Sequence, residues 1–310
     1  MSALKVLKLQ GLDGTHLFGF LASYGLLRLL HRAALRSRTF HPRLCFDRQD
    51  YCALLNGVAS AKFLEEIVHE ELRVLRHRLE GDFIDIAKPS DLTQEFVDKI
   101  VRSTDVDTMD ELAGLGCVLG GETHESSLCA ANGAGHQNLV LSMRDVLALL
   151  EEHPDRLSDA MNRSWTLDFE PTHADRKKLT LGTRKPTLRL DPSDERLYAL
   201  RFDNPTSNDA TYRTELGAQA LAAAAFGGLP VVPRQRHSIA VGSERRGTKT
   251  YFYWGLWSMP ASYPTVRSLI VTGVRDMECA RARGVFTAFR AARVTGAKGK
   301  LSFAPTEPWW

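Results

Sequence analysis

Cys117, His124, Cys129 and His136 come nearest to a metal-binding set in this sequence. Two thiolates and two imidazoles suit zinc, but their C-x6-H-x4-C-x6-H spacing matches no common finger, whose paired ligands sit about two to five residues apart. We therefore expect no metal and no other cofactor. The overlapping stretch Ala131-Asn-Gly-Ala-Gly-His-Gln-Asn offers different chemistry. Its glycines let backbone N–H groups approach a phosphate, and Asn132, Gln137 and Asn138 can pair with base edges, adenine above all. The plainer alternative is a glycine-rich turn whose polar side chains cap the next helix.

Two basic clusters follow. Arg234, Arg236, Arg245, Arg246 and Lys249 flank a short strand, with Ser243 to Thr248 as its turn, and adjacent arginines at a hairpin tip suit a groove or a backbone. Arg281, Arg283, Arg290, Arg293, Lys298 and Lys300 form the second cluster. Between Ala224 and Lys300 there are 10 arginines, 3 lysines and 3 acidic residues. The planar guanidinium fork favours phosphate and guanine edges, whereas a merely solvated face would be richer in lysine. These arginines and lysines are the expected phosphate contacts; Asn132, Gln137 and Asn138 are the weaker base-edge candidates. Tyr251-Phe-Tyr-Trp with Trp257 could stack bases, but alternate residues of a strand must face the interior, which favours core packing.

Catalytic patterns are missing. The sequence contains no G-x-S-x-G elbow, H-E-x-x-H pair, Walker A loop or dinucleotide G-x-G-x-x-G. The chain reads as a non-enzyme. A rival reading is an endoribonuclease with His136 or His237 as general base; another is a subunit that binds only protein, its arginines paired to acidic neighbours.

The 310 residues are 44% hydrophobic and 25% charged with net charge +3, which fits a globular chain and argues against disorder. Residues 1–169 carry 18 basic and 25 acidic side chains (−7), and residues 170–310 carry 22 and 12 (+10). No apolar run is long enough to span a bilayer, and no signal peptide is evident, so a cytoplasmic protein with five buried, reduced cysteines is expected.

The elements that would position these residues read as α+β: a mainly helical N-terminal region (1–160), then a strand-rich basic region (161–310), with a soft boundary near 154–170 or one continuous domain. Leu4 to Leu9 predicts a strand, Gly11-Leu-Asp-Gly a turn, and Asp13 or Thr15 a cap on a buried helix reaching about Leu35. In that helix Gly19, Ala22 and Gly25 allow close approach. Ser60 to Leu79 is amphipathic, with Phe63, Leu64, Ile67, Val68, Leu72, Leu75 and Leu79 on one stripe. Helices are also expected at 91–103, at 108–119 behind a Thr108/Glu111 capping box, at 142–152, and from Thr211 to Phe226. Residues 187–202 read as a hairpin. Further strands are expected at 239–241, 249–256, 267–272 and 286–294.

Five blocks in order resemble the large-subunit family of type I-G (formerly I-U) CRISPR effector complexes. They are Leu9-Gln-Gly-Leu-Asp-Gly-Thr-His-Leu-Phe-Gly-Phe-Leu, Gly133-Ala-Gly-His-Gln, Leu188-Arg-Leu-Asp-Pro-Ser-Asp-Glu-Arg-Leu-Tyr-Ala-Leu-Arg, Gly227-Gly-Leu-Pro-Val-Val-Pro, and Tyr253-Trp-Gly-Leu-Trp-Ser-Met-Pro with Val266-Arg-Ser-Leu. The stretch Arg290-Ala-Ala-Arg-Val-Thr-Gly-Ala-Lys-Gly-Lys also fits, whereas Trp254-Gly255 stands where the family would have Trp-Pro. The resemblance implies a non-catalytic Cascade subunit that works with CRISPR RNA, target double-stranded DNA and the other subunits. It would contact the protospacer-adjacent motif and help recruit a helicase-nuclease, while base pairing reads the sequence.

Overall fold

The computed structural model describes residues 6–87, 89–103, 105–129, 139–181, 187–188, 190, 214–234, 237–295 and 301–310. The fold is α+β, with helices concentrated in the N-terminal half and strands in the C-terminal half.

Apolar residues on every side of helix α1 (Leu17–Ser37) send it through the middle of the protein, with nearly all of its first four turns buried. Its cap is His16, whose Nδ1 accepts the Gly19 N–H at 2.9 Å; Asp13 instead accepts the Thr15 N–H. Gly11 to Asp13 are not a turn. They belong to strand β1 (Leu7–Asp13), and the turn falls at Gly14-Thr15. Strands β2 (Arg43–Phe46) and β3 (Cys52–Asn56) complete an antiparallel sheet in the order β1-β3-β2. Helix α2 (Ala61–Gly81) is capped by Ser60 and buries Leu64, Val68, Leu72, Leu75 and Leu79.

Helices α3 (Gln94–Ser103) and α4 (Val106–Leu115) come next, with Asp105 capping α4. The expected Thr108/Glu111 capping box is absent because α4 starts earlier, at the Asp105 cap, and places Thr108 inside its first turn: the Thr108 hydroxyl donates to Asp82 at 2.8 Å, and Glu111 binds arginines of α1. Nor does a helix reach residue 119. Gly120 and Gly121 adopt positive φ and turn the chain into a hairpin of β4 (Gly116–Leu119) and β5 (Glu122–Glu125), geometry that residues with a Cβ enter at a cost. Helices α5 (Leu139–Glu152), α6 (Asp155–Asn162) and α7 (His173–Lys178) follow, then α8 (Leu216–Ala225), which is buried at every position. The expected 187–202 hairpin and the start of the Thr211 helix lie outside the described residues.

One hydrophobic cluster runs from Leu9 to Phe303 and crosses the expected boundary, because α8 packs along α1. Arg28, 1% exposed, donates to the Ala224 carbonyl at 2.8 Å and sits 2.9 Å from Glu111; Arg32 binds the same carboxylate at 2.9 Å and Asp107 at 2.6 Å. Buried cations are tolerated only when paired and hydrogen-bonded in this way.

In the C-terminal half, β6 (Val231–Arg234) and β7 (His237–Ala240) form a hairpin. The main sheet takes the order β11-β10-β9-β8 from β8 (Ser243–Arg246), β9 (Lys249–Trp257), β10 (Val285–Thr295) and β11 (Leu301–Phe303), and β12 (Glu307–Pro308) pairs beside β10. Residues 267–272 are not a strand. They belong to helix α9 (Tyr263–Thr272), where Tyr263, Val266 and Ile270 recur at helical spacing on the buried side and Pro264 opens the first turn. Helix α10 (Met277–Ala282) packs beside β10. Among the described residues, no helix is long and apolar enough to cross a membrane. The five cysteines are free; Cys45, Cys52 and Cys129 are buried, whereas Cys117 is half-buried and Cys279 exposed, against the expectation of five buried thiols.

Candidate nucleic-acid interface

The register of the main sheet sorts the basic residues. Ser243 pairs with Phe252, Glu244 with Tyr251, Arg245 with Thr250 and Arg246 with Lys249; β10 sets Arg293 opposite Thr250 and Arg290 opposite Tyr253. Side chains alternate between faces along a strand. Arg246, Lys249, Tyr251, Tyr253 and Arg290 therefore share the outer face, whereas Phe252 and Trp254 enter the main core. Arg245 and Arg293 belong to the opposite face. The two adjacent arginines consequently straddle the hairpin tip rather than clamp from one side. That tip is Gly247-Thr248 alone, with Gly247 at φ 58°; Ser243 to Arg246, expected within the turn, are strand.

On the outer face an arginine–aromatic stack forms around Trp309. The guanidinium of Arg246 lies 5.0 Å from the Trp309 ring centre and that of Arg290 lies 4.8 Å from it. Arg290 also covers Tyr251 at 5.1 Å, and Arg246 covers Tyr253 at 5.7 Å. Such contacts hold guanidinium planes flat while leaving edge N–H groups free to donate. The indole N–H of Trp309 has no hydrogen-bond partner among the described residues. Nearby carboxylates are few: Glu307 takes Arg290 at 2.8 Å, and Glu244 bridges Arg246 at 3.0 Å and Arg275 at 3.2 Å. Arg245 and Lys249 are exposed and form no ion pair among the described residues. Burial pushes the Tyr253 phenol pKa upward. Arg281 lies 5.3 Å above Trp310, which extends the same chemistry along the edge.

The other candidates are placed less favourably or lie elsewhere. Arg293 turns inward, its Nη2 donating to the Cys129 carbonyl at 3.2 Å. The backbone of Arg234 pairs with His237 in the β6–β7 hairpin. Arg236, Lys298, Lys300, Asn132, His136, Gln137 and Asn138 lie outside the described residues. Cys117 and His124 face each other across β4 and β5, and Cys129 is fully buried. Among the described residues no group of three or more His, Cys, Asp or Glu side chains could hold a metal ion.

Trp309 and Glu307 went unnoticed in the sequence. The available signal was the order Glu307-Pro-Trp-Trp shortly after an arginine-bearing strand, which brings an acid and two indoles back to that strand's edge. No protein-family model matches the chain, and no curated protein is significantly similar to it.

Proposed function

We propose that this chain is a non-catalytic, nucleic-acid-binding subunit of a type I CRISPR RNA-guided surveillance complex. In this reading it holds target DNA beside the protospacer-adjacent motif and helps recruit the helicase-nuclease. The observation that carries it is the single indole of Trp309 flanked by Arg246 and Arg290. The two guanidinium groups held against the indole present donors to phosphate oxygens, and the half-buried Tyr251 and Trp309 rings can carry base or sugar surface. Arg245 and Lys249 at the tip add positive charge that steers a polyanion toward the sheet. The family resemblance supplies the wider setting.

The test is co-expression with the proteins encoded beside it, asking whether the chain co-purifies with a discrete small RNA and whether the particle binds duplex DNA. A particle that retains its protein partners after nuclease treatment and has no affinity for DNA would support a second reading. That reading has its own observation: Glu307 and Glu244 neutralise Arg290 and Arg246 within the chain. A purely protein-binding subunit would need no more than this.

A further inference from the structure

Apart from the arginine face, the described residues include a cleft of about 570 Å³ lined by Gln10, Gly11, Asp13, His16, Asp50, Cys52, Ser164, Trp165 and Leu167. Small-molecule sites fall in the range of about 300–1,000 Å³. Several irregularities build it. The β1–β3 register passes from Leu9↔Ala53 directly to Asp13↔Cys52, so Gln10 to Leu12 bulge out of the ladder. Gly11 is pressed against α6, where a Cβ would lie 2.0 Å from the Ala160 carbonyl oxygen. Tyr51, between Asp50 and Cys52, has φ 59°, and Leu167 on the far wall has φ 51°.

The chemistry of the lining is one-sided. Among its described lining residues Asp13 and Asp50 are charged, and Lys8 pairs with Asp50 at 2.5 Å and with Asp47 at 3.2 Å. The lining thus contributes two carboxylates, one of them shared with the Lys8 ammonium, and favours a cation over an anion. Cys52 adds no charge at neutral pH, because burial pushes its thiol up to about 11 while it donates to the Gln10 carbonyl at 3.3 Å. His16 accepts the Gly19 N–H through Nδ1, and its ring packs 5.1 Å from that of Trp165. Trp165 supplies an aromatic wall and is fixed in place by its N–H bond to the Ala160 carbonyl at 2.9 Å and by the Phe18 ring at 4.8 Å.

We infer that this cleft binds a small organic cation, an aliphatic guanidinium or ammonium ion held by Asp13 and Asp50 over the Trp165 ring. Carboxylates plus an aromatic face satisfy both the charge and the donors of such an ion. The inference does not depend on nucleic-acid binding, since it uses none of the residues of the arginine face.

The probe is agmatine, which carries one group of each kind, titrated into the full chain by calorimetry with AMP as the anionic control. Saturable agmatine binding is expected, with AMP showing none. Asp13→Asn keeps the acceptor used by the Thr15 N–H and should weaken agmatine about tenfold, as should Asp50→Asn. A shift of the Trp165 indole signal in an NMR titration, assigned with Trp165→Phe, locates the ion. Failure of agmatine to saturate, equal or tighter binding of AMP, or unchanged affinity in Asp13→Asn would each overturn the inference. If Trp165→Phe does not fold, the two aspartate variants still decide it.

Discussion

Gly25 of α1 lies against Leu221 of α8 so closely that a Cβ on Gly25 would stand 1.8 Å from the Leu221 carbonyl oxygen. That approach is what makes the helical half and the strand-rich half share one core. Gly25→Ala should destabilise the protein by about 3 kcal/mol, because the obstacle is backbone and can yield only by separating two buried helices. Urea unfolding followed by far-UV circular dichroism checks this; an unchanged midpoint would show that the helices are not so tightly apposed.

The Arg28–Glu111 pair makes a second prediction. Glu111→Gln leaves Arg28 with only the more distant Asp110 carboxylate at 3.8 Å, while Arg32 keeps Asp107, and should cost about 3 kcal/mol. Adding Arg28→Met should recover part of the loss, since the uncompensated cation is then gone. A double variant as unstable as Glu111→Gln alone would mean that the pair is not the stabilising unit.

Glu307 is the expected brake on the arginine face. Glu307→Gln releases Arg290 without removing its stacking on Trp309, so affinity for DNA should rise two- to tenfold and the slope of log K against log salt should steepen by about one unit. Arg246→Ala with Arg290→Ala should weaken binding and flatten the slope by about one to two units. Fluorescence anisotropy at several salt concentrations measures both. Equal slopes in wild type and double variant would remove this face from the interface.

Acid sensitivity follows from Asp175. Burial pulls its pKa up, but the Thr172 hydroxyl and backbone N–H and the His153 ring outweigh this and hold the carboxyl below the usual range. A depressed carboxylate contributes stability above its unfolded-state value of about 3.9 and loses it as pH falls through the folded value. Thr172→Ala should therefore melt earlier than wild type at pH 7, and the gap should narrow below about pH 4. A gap independent of pH would assign the effect to hydroxyl packing alone.

Much of the scaffold could be read from residue order. The uniformly apolar α1 and the α2 stripe carry helical periodicity strong enough that tertiary context only extends them. The β9 and β10 strands were legible because aromatic and β-branched residues concentrate there. Residues 267–272 misled because Ser-Leu-Ile-Val-Thr is a strand composition, whereas Tyr263, Val266 and Ile270 carry the helical spacing that governs burial. Thr108-x-x-Glu111 misled because a capping pattern and a buried ion-pair partner use the same residue types. The face around Trp309 was only half legible: its arginines were visible as a charge excess, but which of them share a side depends on the β9–β10 register, and that is set by packing far from the charges.

The embrace of α1 by α8 also sets an order of events during synthesis. Arg28 finds its acceptor at Ala224, 196 residues later. Until that stretch leaves the ribosome, the long buried helix α1 has one side uncovered. At about 5–20 residues per second this interval lasts roughly 10–40 seconds. Such a nascent chain is a natural client for a chaperone that shields hydrophobic segments, and slower translation should raise its dependence on one.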